Sequence, residues 1–173
     1  MRLFIAINFT EEVKNQLCNA IGHLKEYAVQ GNFTRRENLH LTLVFIGETT
    51  KVDEVKRAVD FVQMEPFTLK IGGLGEFRRD GGDIYWVGVE KNGILSKIYS
   101  QLYAELTKAG FQLENRDFKP HLTLGREVIL QDGVDHTAFE KAIPEMSMKV
   151  EKISLMKSER VNGALSYTEI YKR

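Results

Sequence analysis

The tetrapeptide His-Leu-Thr-Leu occurs twice in this chain, as residues 40–43 and again as residues 121–124. The first copy sits in Leu39-His40-Leu41-Thr42-Leu43-Val44-Phe45-Ile46, an apolar and β-branched run closed by Gly47, so it reads as a strand. Side chains of a strand alternate between two faces. His40 and Thr42 therefore share one face, while Leu41 and Leu43 share the other and can be buried. His121 and Thr123 repeat the arrangement, backed by Leu122 and Leu124. If the two polar faces meet, two imidazoles and two hydroxyls surround one small space.

The 81-residue separation of the histidines (121 − 40) orders the rest of the chain. Residues 3–8 read as a buried strand. Thr10 is an N-cap ahead of Glu11 and Glu12, and 11–28 is a helix with a stripe of Leu17, Ile21, Leu24 and Ala28. Gly31 to Asn38 reads as a polar loop carrying Phe33, Arg35 and Arg36. Val52, Val55, Val59 and Val62 mark a helix over 51–62. Pro66 opens a strand that Gly72, Gly73 and Gly75 bend before Phe77. A hairpin turn over 78–83 leads into a strand over 84–90. Residues 94–109 form a helix closed by Gly110, and 111–119 a strand followed by a loop. A short helix over 136–143 precedes Pro144. Strands over 147–157 and 164–171, joined at Asn162-Gly163, finish the chain.

Shifted by 81, strand 3–8 falls on 84–89, helix 11–28 on 92–109, helix 52–62 on 133–143, and strand 67–77 on 148–158. The spacing predicts an internal β-α-β-α-β duplication, approximately 3–77 and 84–158. We expect one α+β domain over residues 1–173, with two lobes about an approximate two-fold axis. That axis carries one histidine strand onto the other and places the site in the cleft between lobes.

Two histidines that titrate near neutrality can divide labour, one as general base and one as general acid. Such a pair suits in-line displacement at phosphorus, with the threonine hydroxyls bonding non-bridging oxygens. His23 and His136, each in or beside a helix with no such repetition, read as structural. No His-Glu-x-x-His, cysteine pair or carboxylate cluster accompanies either motif, so no metal is expected. Cys18 lies in an amphipathic helix and no Gly-x-Ser-x-Gly elbow is present, which leaves no nucleophilic triad. The glycines at 72, 73 and 75 lack the phosphate-loop pattern and read as strand bends.

Lys plus Arg equal Asp plus Glu at 24 each, so no global cationic field supports a long nucleic-acid track, and any such substrate must be gripped at an end. A single cysteine allows no intramolecular disulfide and suits a reducing compartment. The apolar start breaks off at Asn8, short of a signal peptide's core, and no run approaches the ~20 residues that span a bilayer. These features give the expectation of a cytoplasmic protein without a membrane partner. No heptad or apolar surface stripe stands out, so a monomer is expected.

Paired His-x-Thr-x motifs in this setting resemble the two-histidine (2H) phosphoesterase superfamily, and within it the RNA 2′,3′-cyclic phosphodiesterases, also described as bacterial and archaeal 2′-5′ RNA ligases. The resemblance runs over nearly the whole chain. It includes the Met-Arg-Leu-Phe-Ile-Ala-Ile start, Glu37 to Leu43 running into Phe45-Ile46-Gly47-Glu48, Gly73-Leu74-Gly75-Glu76-Phe77, and Phe118 to Arg126.

It implies a two-lobed α+β fold, mainly of antiparallel sheets facing a central cleft with helices outside. It also implies opening of a 2′,3′-cyclic phosphate on an RNA end or nucleotide to a 2′-phosphate, without metal or cofactor. tRNA halves are among the candidate substrates, and reverse 2′-5′ ligation is expected to be minor in water. By position, His40 would protonate the leaving 3′ oxygen, His121 would activate water, and Thr42 and Thr123 would hold phosphate oxygens. Arg126 matches a substrate-contacting arginine of the family. Simple alternation turns Arg126 away from His121, and a bulge at Gly125 would re-aim it.

Arg35 and Arg116, each five residues before a histidine, stand in the approach loops, where RNA phosphates and solvent are alternative partners. Phe33 stands where relatives often carry tryptophan, with base stacking and core packing both open to it. The rival readings are a binding module of the same fold that retains AMP-type nucleotides without turnover, or a phosphodiesterase for 2′-5′ oligonucleotides or another small cyclic phosphate. The intact pairs of histidine and threonine argue against a pure binder.

Overall fold

The computed structural model describes Met1–Arg173. In chain order its elements are β1 (Arg2–Asn8), α1 (Glu11–Tyr27), β2 (Ala28–Phe33), a 3₁₀ turn (Arg36–Asn38), β3 (His40–Glu48), α2 (Val52–Phe61), β4 (Phe67–Phe77) and β5 (Asp83–Val89). Then come α3 (Gly93–Lys108), β6 (His121–Leu130), α4 (His136–Ala142), β7 (Met146–Val150), β8 (Ser154–Val161) and β9 (Ala164–Lys172).

The strands form two sheets, in the orders β3-β1-β8-β9 and β2-β6-β5-β4-β7, and every pairing is antiparallel. Helices α2 and α3 pack together, with α3 against β3, whereas α1 lies against β2, β6, β7 and α4. This is the mixed α+β architecture that the alternating and helical patterns predict.

Local chemistry explains where the helices start and stop. The Thr10 hydroxyl accepts from the Val13 amide, and Glu11 and Glu12 sit at the positive end of the α1 dipole. Asn92 caps α3 through bonds from the Ile94 and Leu95 amides. Gly110, at φ +88°, ends α3 with the Phe111 amide reaching back to the Leu106 carbonyl, a left-handed turn that glycine adopts at least cost. Leu95, Ile98, Leu102 and Leu106 form the buried stripe of α3.

The chain does not finish one sheet before starting the next. After β1 it crosses to the second sheet for α1 and β2, then returns for β3 and α2. It crosses again for β4 and β5, sends α3 back to cover β3, and places β6, α4 and β7 in the second lobe before β8 and β9 close the first. β4 thus pairs with β5, and β8 with β1. One continuous cluster of 35 buried residues runs through both lobes, including Leu3, Ile5 and Ile7 of β1, Leu41 and Leu43 of β3, and Leu122 and Leu124 of β6. The leucine faces of both histidine strands are therefore anchored in one core, where removing a leucine side chain costs about 2–5 kcal/mol.

Four sequence expectations are corrected. The segment from Gly31 is not all loop: Ala28–Phe33 is a strand, because its backbone completes the free edge of β6 and Phe33 lies over Gly31 and Gly125. Helix α1 accordingly stops at Tyr27, and Ala28 opens β2. Residues 111–119 form no strand; this stretch turns back irregularly to deliver Pro120 to β6. The stretch 147–157 is two strands in different sheets, β7 beside β4 and β8 beside β1, parted at 151–153.

Candidate active site

Both histidines open their strands, and the same local geometry holds each ring. The Nδ1 of His40 lies 2.7 Å from the Asn38 carbonyl oxygen, and the Nδ1 of His121 lies 2.8 Å from that of Lys119. A carbonyl can only accept, so each Nδ1 carries a proton and each Nε2 is the nitrogen left for chemistry. Burial alternates as the pattern requires, with Leu41, Leu43, Leu122 and Leu124 inside and the histidine–threonine faces turned to the cleft.

That cleft, about 1620 Å³, is lined by His40, Thr42, His121, Thr123 and Arg126 together. Arg126 reaches it through a break in alternation. Trp86 pairs with Thr123 and Tyr85 with Gly125, so β6 has two residues against one of β5, and Leu124 and Gly125 are buried in succession. The next residue is returned to the cleft face. A second bulge follows at Glu127, whose φ of +53° is costly for a residue with a Cβ; the Glu127 carboxylate accepts from the Asn32 amide and its carbonyl from the Gln30 amide. β3 carries the matching irregularity at Leu43 and Val44, and there the residue returned to the cleft is Phe45, with the Arg2 guanidinium 5.0 Å above its ring.

The two imidazoles sit in different boxes. His40 packs against Phe4 at 4.8 Å and edge-on to Tyr167 at 5.1 Å, and its Nε2 is 2.9 Å from the Thr42 hydroxyl. Burial drives its pKa below the ordinary histidine value, and the bond to the Asn38 carbonyl opposes that shift. Burial also raises the Tyr167 hydroxyl, against the pull of the Arg126 and Arg2 charges. Arg126 of one lobe is thus within electrostatic reach of the residue that walls His40 in the other. His121 packs against Phe77 at 5.3 Å and Trp86 at 5.8 Å. Gly75 has no room for a Cβ because the Trp86 ring occupies that place, so this glycine seats a wall of the site; the irregularity of β4 lies instead between Ile71 and Leu74, at Gly72 and Gly73.

The remaining candidates divide. Arg35 lines the cleft but is engaged by the Leu165 carbonyl and by Glu37 at 3.1 Å. Arg116 lines it on the other side, paired with Glu114 at 3.0 Å. Arg36 points away, to Glu11 at 2.5 Å and to the Cys18 sulfur. Phe33 is packed against the core at the cleft edge, with Lys25 5.6 Å above its ring. His23 pairs with Glu26 and His136 stacks on Tyr85, both away from the cleft lining. No group of three His, Cys, Asp or Glu side chains is gathered as a metal site.

Sequence reasoning missed the four aromatic walls and the two carbonyls. The carbonyls had a signal, since each lies two residues before its histidine at the same offset. Tyr167, outside the duplicated stretch, had none.

A family model described as the 2′-5′ RNA ligase superfamily matches residues 13–162. The RNA 2′,3′-cyclic phosphodiesterase of Thermotoga maritima is 33% identical, over 99% of this chain and 94% of that protein. The protein of the same name from Methanothermobacter thermautotrophicus is 30% identical over 98% and 96%. Among solved structures, Escherichia coli LigT in its apo form superposes with a TM-score of 0.78 at 23% identity, covering 99% of this chain and 95% of that one.

Proposed function

The chain belongs to the 2′-5′ RNA ligase superfamily, and from that premise we propose that it is an RNA 2′,3′-cyclic phosphodiesterase, opening the cyclic phosphate to a 2′-phosphomonoester. The observation that carries this reading is the pair of imidazoles, each tied through Nδ1 to a carbonyl and each offering Nε2 to a cleft shared with two threonines and Arg126.

A cyclic phosphodiester carries one negative charge, which Arg126 and the hydroxyls of Thr42 and Thr123 hold. A water attacks phosphorus and its proton passes to Nε2 of His121. The bond from phosphorus to the 3′ oxygen breaks, and that oxygen takes the proton from Nε2 of His40. Burial favours neutral His40 in the free protein; a bound anion beside it raises its proton affinity and so favours the protonated ring in the complex. The opposite division, with His40 as base, is favoured by the same burial. A substrate with sulfur in place of the bridging 3′ oxygen separates the two, since a thiolate leaves without an acid. The loss in His40→Ala shrinks on that substrate if His40 is the acid; a smaller loss in His121→Ala instead reverses the roles.

We take residues 1–173 as a single two-lobed domain, acting as a monomer in the reducing cytoplasm, with tRNA halves as one source of substrate ends and with 2′-5′ ligation as a minor reverse reaction. The test is turnover of a short oligoribonucleotide ending in a 2′,3′-cyclic phosphate, in excess EDTA. A 2′-phosphate product is expected, with losses of about 10²–10⁴ in His40→Ala and in His121→Ala. Binding without ring opening in the wild type would sink the proposal and leave a nucleotide-retaining module; activity abolished by EDTA would sink the metal-free mechanism.

A further inference from the structure

The cleft is far larger than a cyclic phosphate needs, and one group of its aromatic rings stands apart from both histidines' own walls. Tyr99 and Tyr103, one turn apart on α3, line it beside Phe118 and Arg116. The core stripe of that helix is Leu95, Ile98, Leu102 and Leu106; Tyr99 packs against the core while Tyr103 stands off it, and both are half-buried at the cleft. Tyr99 and Phe118 stack face to face, with centroids 4.2 Å apart and planes at 4°, and Tyr103 lies 5.9 Å from Tyr99. The Tyr99 hydroxyl is raised by burial and by Tyr103, and lowered by Arg116, which puts all three polar ends in one neighbourhood.

The wall adjoins the reacting centre. Phe118 is followed by Lys119, whose carbonyl holds the His121 ring. The repeat does not copy the wall: moving back by 81 residues from Tyr99, Tyr103 and Phe118 gives Cys18, Gly22 and Glu37, none of them aromatic. The other rings that line the cleft, Phe4, Phe33, Phe45 and Tyr167, come from β1, β2, β3 and β9.

We propose that Tyr99, Tyr103 and Phe118 form a nucleobase subsite, stacking the base of the nucleoside that carries the cyclic phosphate. This rests on the phosphodiesterase reading above and adds to it where the nucleoside lies. Stacking offers no pattern of donors and acceptors, so the subsite tolerates any base and favours the larger purines. Arg116, already neutralised by Glu114 and flanked by Asp117 and Lys119, adds little charge of its own.

The test compares adenosine 2′,3′-cyclic phosphate with methyl riboside 2′,3′-cyclic phosphate, which has the same ring and no base. Tyr103→Leu, on the surface of α3, is expected to raise KM for the adenosine substrate roughly 5- to 100-fold, to leave the baseless substrate unchanged, and to be rescued by Tyr103→Phe. An unchanged KM in both Tyr103→Leu and Tyr99→Leu overturns the proposal. So does an equal loss on the two substrates, which would mean that the rings only position the loop before His121. If the wild type opens neither substrate, the phosphodiesterase reading fails first. The subsite is then judged by calorimetric binding of adenosine 3′-monophosphate, where equal affinity in wild type and Tyr103→Leu overturns it and a loss in the variant supports it.

Discussion

The two lobes present the same motif on the same kind of strand, yet they prepare their imidazoles differently. In the first lobe, His40 is closed in by Phe4 and Tyr167 and its Nε2 is held by the Thr42 hydroxyl. In the second, His121 is walled by Phe77 and Trp86, and the Thr123 carbonyl is occupied in accepting from the Thr34 hydroxyl at 2.8 Å. The bulges after the threonines correspond, but one returns Phe45 to the cleft and the other Arg126. The outer edge of β6 is completed by β2, whereas β3 is an edge strand. Matching strands and matching carbonyl bonds to Nδ1 set where the two rings stand. The residues packed around His40 bury it and lower its affinity for a proton in the free protein.

The largest expected effect that breaks this comparison comes from the residue that only one lobe has. Arg126→Met removes the cation that we propose holds the phosphate and should lower kcat/KM roughly 10- to 100-fold, the worth of a charged hydrogen bond. Steady-state kinetics on the cyclic phosphate reads this directly, and a change below about twofold would take Arg126 out of the site.

A middle-sized effect lies in the titration of His40. Its folded pKa is depressed by burial, so between that pKa and the ordinary histidine value the unfolded chain binds more protons than the folded one. Stability therefore rises with pH across that window, and His40→Phe should flatten the slope. In NMR titrations the His40 ring should respond below the ordinary value, and Tyr167→Ala, by admitting water, should move it upward. A His40 titration that ignores the loss of Tyr167 would mean that the tyrosine is not what buries it.

The smallest effect sharpens the contrast between covered and open edges. Thr34→Val deletes the hydroxyl bond to the Thr123 carbonyl and should cost about 0.5–1.5 kcal/mol in chemical denaturation, with His40 chemical shifts unmoved. Shifts that spread to His40 would show the lobes to be more tightly coupled than their separate boxes imply.

Much of this was legible in residue order, because alternation is a short-range rule. His40 with Thr42 and His121 with Thr123 could be assigned to one face from four letters each. Capping chemistry at Thr10 and Gly110 was equally local. What escaped depends on neighbours distant in sequence. Ala28-Val29-Gln30-Gly31-Asn32-Phe33 has little strand character of its own and becomes β2 because β6 has an edge to fill. The stretch 147–157 carries no mark of its division, since the break follows from which partner each half finds, β4 or β1. The face on which Arg126 lies was open for a like reason: a bulge is a mismatch between two strands, and neither strand alone records it.

The repeated crossing of the chain has a consequence for how the protein comes apart. The first sheet contains β8 from late in the sequence, and the second contains β4 from early in it, so neither ladder can dissolve without withdrawing a strand that the other half of the chain delivers. The interleaved strands favour loss of both sheets together, and a single transition seen alike by circular dichroism and by tryptophan fluorescence on heating is the expected outcome. A copy that keeps one histidine strand paired is then expected to keep the other.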